Sequence, residues 1–258
     1  MSRWTPRRVA GGLARRVPRG PFRFVVPTRL LRYPFRFWLS VLAAHPDRRH
    51  GVRELLKAYD DVYRAIDRAS IAYDGGVHVK HRLTRYHDFF VERVRAGDRV
   101  LDVGSGKGEL AHDLVTRSGA TVVGIDNNPH HVAFAHSRFQ HERLQLVEGD
   151  VLECVPDGRF DVVVLSNVLE HIEPRVELLH RLVAASAPSR VLIRVPALSR
   201  DWTVPLREEV GLPHFSDPDH EVEYDPDSLR AELAEAGLEV TELIATWGEL
   251  WAVAEPAR

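Results

Sequence analysis

From residue 98 onward, short β-branched runs alternate with segments of helical length, and this alternation constrains the fold more than any other feature of the chain. Runs suited to strands fall at 99–103, 121–125, 144–148, 160–165 and 190–195, with helical segments at 108–118, 129–139 and 173–185. Strands joined by helices of this length run parallel, because each connection must return to the starting edge, and helices then cover both sheet faces. Asp225 reads as an N-cap with Pro226 in the first turn, opening a helix that Gly237 ends. Beyond it, runs at 238–246 and 250–254 flank Trp247-Gly248-Glu249, the spacing of a tight antiparallel pair at the sheet edge. Residues 196–224 are rich in Pro and Asp and lack clear periodicity; too long for an idle connection, they read as a cap over a site.

The segment Val100-Leu101-Asp102-Val103-Gly104-Ser105-Gly106-Lys107-Gly108-Glu109-Leu110 is a buried strand running into a glycine-rich turn and then a helix. Glycine permits positive φ and lets a ligand approach the backbone without meeting a Cβ. At the carboxyl end of a parallel strand this is where an open α/β sheet binds its ligand. Two ligand classes compete for such a loop. Gly104, Gly106 and Glu109 fail the G-x-G-x-x-G spacing of a dinucleotide site, whereas Gly106, Gly108 and Ala111 meet its loose form. Asp126, which ends Val122-Val123-Gly124-Ile125, suits the ribose of either ligand.

The ordered set Asp102-x-Gly104-x-Gly106-x-Gly108, Asp126, Asp150 within Val147-Glu148-Gly149-Asp150-Val151, and Phe160-Asp161-Val162-Val163-Val164-Leu165-Ser166-Asn167-Val168-Leu169-Glu170-His171-Ile172 resembles the class I S-adenosylmethionine-dependent methyltransferases. The resemblance covers residues 98–171 and extends more weakly to 255. It implies a Rossmann-like, doubly wound, seven-stranded and mostly parallel sheet with the last strand antiparallel, preceded by an N-terminal helical extension. It also implies S-adenosylmethionine as cofactor. Asp102, Gly104, Ser105, Gly106 and Gly108 would surround its methionine end and adenosine, Asp126 would bind its ribose, Asp150 would meet its adenine amino group, Asn127 and Val151 would also contact the cofactor, and Asn167 would lie near the sulfonium. Residues 73–90, rich in histidine, weakly resemble the lead-in of methyltransferases acting on bacterial surface glycans and sugars, with His81, Arg82 and Tyr86 placed for a polyhydroxylated or anionic acceptor.

An oxygen acceptor needs a base. His171 follows the fourth strand, and His220 sits among His214, Asp217, Asp219 and Glu221 in the cap, so these two histidines are the catalytic candidates. The spacing matches no metal signature, and no metal is expected. A sugar hydroxyl in a glycan, glycolipid or glycosylated metabolite is the first expectation for the acceptor, and a quinone or phenolic lipid the alternative. The other function classes are an NAD-dependent oxidoreductase, which would share the loop and Asp126, and a cofactor-binding scaffold without turnover.

Residues 1–50 carry twelve arginines, no lysine and a single acid, a charge of +11 that leaves −13 on the remainder. The chain thus reads as a basic arm (1–44) with arginines between aromatics, a helical segment (45–97) and a methyltransferase domain (98–258) containing the cap. Helices are expected over 52–66 and 80–94, and residues 1–20 hold too little apolar surface to pack. The arm suits peripheral association with an anionic membrane face, while the acidic body disfavours nucleic acid. One cysteine, Cys154, excludes an internal disulfide, and with no spanning or secretory pattern the expected location is cytoplasmic, at the inner membrane face. The sequence fixes no oligomeric state.

Overall fold

The computed structural model describes residues 28–257, so the expectation for residues 1–20 lies outside the described residues. The chain divides between Gly51 and Val52 into two units. In the first, α1 (Thr28–Ala43) is followed by the start of α2 (Arg48–Tyr73). Gly51 lets the two meet closely: a Cβ there would stand 2.3 Å from the Leu42 carbonyl oxygen.

The second unit holds the sheet. Its strands are β1 (Arg99–Val103), β2 (Thr121–Asp126), β3 (Leu144–Glu148), β4 (Val162–Ser166), β5 (Arg190–Pro196), β6 (Leu238–Thr246) and β7 (Glu249–Pro256), in the order β3-β2-β1-β4-β5-β7-β6. The first five pair in parallel, while β7 inserts antiparallel between β5 and β6. This is the expected seven-stranded, Rossmann-like α/β sheet. Side chains alternate strictly between two cores, as a strand buried on both faces requires. Leu101, Val103, Val163, Leu165 and Ile193 face α7 (Arg175–Ser186) and α9 (Pro226–Glu235) through Leu178, Leu179, Leu182, Leu229 and Leu233. Val100, Val122, Val162, Val164 and Leu192 face Phe89, Phe90, Leu110 and Leu114. The first and last turns of α9 match expectation: Asp225 accepts from Asp227 N and Ser228 N, Ser228 Oγ returns the bond, and Gly237 follows at φ 72°. The β6–β7 turn uses Trp247 and Gly248 at φ 53° and 76°, the paired left-handed residues that suit a two-residue hairpin.

Three expectations are corrected. The helix expected over 80–94 is two, α3 (Lys80–Thr84) and α4 (Tyr86–Val91), because Arg85 adopts a left-handed conformation at φ 52°. The helix expected over 108–118 is α only through α5 (Glu109–Asp113) and closes with a π turn, Leu114–Ser118. The cap is not featureless: α8 (Thr203–Glu209) forms within it, since Pro205 lies in the first turn, where a missing N–H costs no helical bond. Arg207 of α8 makes two bonds to Asp60 of α2, 3.1 and 2.6 Å, and Arg53 donates to the carbonyls of Val210 and Gly211. The remaining helix, α6 (Pro129–Arg138), connects β2 to β3.

Candidate active site

The carboxyl ends of β1, β2, β3 and β4 lie side by side, and the expected cofactor residues extend from them. Asp102 pairs in register with Gly124 on one side and Val164 on the other. Its carboxyl group is buried, with one oxygen lacking a hydrogen-bond partner among the described residues. Burial, together with the nearby Asp126 charge, pushes its pKa up to about 7. The loop after β1 crosses β2: Ser105 N donates to the Ile125 carbonyl at 3.0 Å, and Ser105 packs where Gly124 has no side chain. Gly104, Gly106 and Gly108 all have positive φ (65°, 55° and 80°), but their surroundings differ. A Cβ on Gly104 would stand 2.7 Å from Val168 Cγ2, and one on Gly108 3.1 Å from Ala135 Cβ, whereas at Gly106 nothing lies within 4 Å. The glycine turn is therefore packed at both ends and open in the middle.

Asp126 fixes that turn. Its carboxylate accepts from Gly106 N at 2.8 Å and from Asn128 N at 2.9 Å, and His131 Nδ1 lies 3.4 Å away. Asn127 is exposed, while its neighbour Asn128 caps α6 by accepting from His130 N and His131 N. Gly149 N donates to the Asp126 carbonyl, which ties the end of β3 to the end of β2. Asp150 follows directly and accepts from Leu152 N at 2.8 Å, so it caps a turn, and Val151 packs into the core. Asn167, just beyond β4, adopts φ 57° although it is not glycine; its N–H donates to the Arg194 carbonyl and its buried Oδ1 has no partner among the described residues.

The two expected catalytic histidines come together. Their ring centroids are 4.7 Å apart in an edge-to-face arrangement. Glu221 N donates to the Glu170 carbonyl at 2.7 Å, and His171 Nδ1 lies 3.3 Å from the Asp219 carbonyl, so the cap segment is laid against the loop after β4. His220 Nδ1 is 3.0 Å from Glu223, whose side chain is fully buried. Burial alone would raise the Glu223 pKa, yet hydrogen bonds from His220 and Ser216 and the charge of Arg200 hold it below the usual carboxylate value. An ionised Glu223 makes Nδ1 the protonated ring nitrogen of His220, leaving Nε2 as the acceptor. Glu170, also fully buried, has its pKa raised by burial, which outweighs the opposing hydrogen bonds from its own backbone and the Asn167 side chain and the nearby His171 and His220. Glu170, His171 and His220 each offer one atom within 4.8 Å of the others, a donor set a divalent cation would also accept.

Glu223, Glu170, Arg194 and Glu249 were not singled out from sequence. Arg194 is 4% exposed and forms a fork with Glu249 at 2.7 and 2.6 Å. It also donates to Ser166 Oγ at 3.2 Å and stacks 3.8 Å from the Tyr86 ring centroid. Of the lead-in residues, Arg82 is paired with Asp74, and burial first, then neighbouring cations, lowers His81 to about 4. A cavity of about 550 Å³ opens beside His81, Arg82, Glu109, His112 and Arg138. No residue of the His171–His220 cluster lines it.

The methyltransferase domain family matches residues 76–243. The ubiquinone biosynthesis O-methyltransferase of Rhodopseudomonas palustris (strain BisB5) is 33% identical over 155 residues, 57% of this chain and 60% of that protein. The chain thus spans less than two thirds of the length of that relative. The magnesium protoporphyrin IX methyltransferase of Synechocystis PCC 6803, solved with bound SAH, superposes at a TM-score of 0.55 with 19% identity over 70% of this chain and 85% of that one. A Haloferax volcanii methyltransferase, described as putative and solved with the Trm112 activator, reaches 0.57 at 19% identity over 72% of this chain and 95% of that one. With this sheet order, this glycine turn and a match over well more than half its length, the chain belongs to the methyltransferase domain family and has the class I methyltransferase fold.

Proposed function

We propose that the chain methylates a phenolic hydroxyl on a quinone-type or other phenolic lipid, with the Glu223–His220 pair taking the proton. The observation that carries this reading is the buried carboxylate holding His220 with Nε2 free, beside His171 and at the end of β4. The similarity to a ubiquinone biosynthesis O-methyltransferase supports an aromatic hydroxyl over the sugar hydroxyl expected first. Proton affinity points the same way. An imidazole near pKa 6.5 is a workable base for a phenol near about 10, and much less so for an aliphatic alcohol.

The site fits the cofactor: the turn is open at Gly106, and Asp102 and Asn167 hold orphaned buried oxygens beside it. When bound, S-adenosylmethionine supplies a methyl group on a sulfonium, already activated for in-line displacement. Asp102 would meet the cationic methionine end, the 104–108 turn would give it passage, Asp126 and Asn127 would hold the ribose, Asp150 and Val151 would border the adenine, and Asn167 would lie toward the sulfonium. The cap brings His220 to the acceptor and excludes water, and Glu223 accepts from Nδ1, aims Nε2 at the acceptor and stabilises the imidazolium formed when Nε2 receives the phenolic proton. The test is to incubate the purified protein and S-adenosylmethionine with a prenylated catechol, and separately with a reducing-sugar glycolipid, and read the mass gain of one methyl. Methylation of the glycolipid alone would overturn the phenolic reading.

A further inference from the structure

We infer that α1 is a docking helix for an anionic phospholipid bilayer, lying flat in the headgroup region. Around a helix at 100° per residue, Leu30, Leu31, Phe35, Phe37, Trp38, Leu39, Val41 and Leu42 spread over roughly 200° of the circumference. Arg29, Arg32 and Arg36 gather within roughly 60° on the opposite side. No residue of α1 is buried; Leu30 is 64% and Phe37 72% exposed. Soluble proteins do not leave such an arc open without a partner.

Three features select a bilayer as that partner. The apolar arc is far wider than the seam that one packed helix covers, and suits a surface into which half the helix sinks. Between Thr28 and Ala43 there is no acid, so guanidinium groups find their counter-charges outside the helix, and headgroup phosphates provide them. Finally, the helix rises only about 24 Å, and no helix among the described residues is long and apolar enough to cross a membrane. This inference does not depend on the acceptor.

The test is co-sedimentation of the full chain with vesicles of phosphatidylcholine alone, or with about 30% phosphatidylglycerol added, with calorimetric binding of S-adenosylhomocysteine as the check on folding. The chain is expected to pellet with the anionic vesicles only. Arg29→Glu, Arg32→Glu and Arg36→Glu together weaken partitioning on the order of 100-fold, and Phe37→Glu with Trp38→Glu abolishes it, both with unchanged cofactor affinity. The proposal is overturned if the chain stays in the supernatant with both vesicle types, or if the Phe37→Glu, Trp38→Glu chain pellets as wild type does. It also fails if these two changes instead abolish a concentration-dependent dimer, or if duplex nucleic acid binds more tightly than the anionic vesicles.

Discussion

Replacing Asp102 with Asn isolates the effect of one buried carboxyl group on the empty protein. Asp102 is wholly buried and carries a pKa of about 7 against a reference of 3.8, with burial as the main cause and the Asp126 charge as the second. Because the folded value is the higher one, the folded chain retains a proton that the unfolded chain has given up. Stability therefore declines as pH rises from 3.8 to about 7 and is level above that. The gap of some three units corresponds to about 4 kcal/mol. Asn has the same shape and no charge to bury. Asp102→Asn should therefore match wild type near pH 4 and melt on the order of 10 °C higher at pH 8. Thermal scans of the cofactor-free protein across that range give the answer. Parallel melting curves, or a variant less stable at pH 8, would refute the electrostatic reasoning. The same group predicts the ligand's behaviour: a cationic methionine end favours ionised Asp102, so S-adenosylmethionine affinity should rise with pH up to about 7 in wild type and not in the variant.

Glu223→Gln should lower kcat by roughly 100-fold or more while leaving S-adenosylhomocysteine affinity unchanged, because it removes the charge that orients His220 through Nδ1 and stabilises the imidazolium formed in the reaction; equal loss of affinity would mean the cap is only structural. Gly106→Val should weaken cofactor binding with a stability loss of about 1–2 kcal/mol, since its φ of 55° is strained for a side chain but its surroundings are empty. Calorimetry and melting read the two effects separately, and unchanged affinity would relocate the site. Arg194→Met should cost about 3 kcal/mol by leaving the half-buried Glu249 with Trp251 Nε1 as its remaining donor, whereas Arg194→Met with Glu249→Met should recover part of it; chemical denaturation of the four-member cycle decides.

The strands β1, β2, β4 and β5 were legible because they are apolar runs buried on both faces, and α9 because Asp225, Pro226 and Gly237 mark both its ends. The glycine turn and its acids were legible as a pattern, though not that Asp126 would bond the Gly106 backbone or that Asp150 would cap its own turn. Arg85 was invisible as a break, since arginine carries no preference for the left-handed conformation that divides α3 from α4. Among the carboxylates of the cap, composition could not select Glu223 over Asp217, Asp219 or Glu221. Folding did so, by turning Glu223 inward to Arg200, Ser216 and His220. The Arg194–Glu249 fork joins residues 55 apart and appears only once β7 is known to lie beside β5.

That placement of β7 has a consequence for how the chain is made. As it leaves the ribosome, β5 emerges with the Arg194 guanidinium and an unpaired edge, and both must wait for residues 249–256 to be synthesised. Until then the nascent sheet offers an open strand to any neighbour and a guanidinium still lacking its carboxylate, so the interval between the two strands is when this chain is most exposed to misassembly.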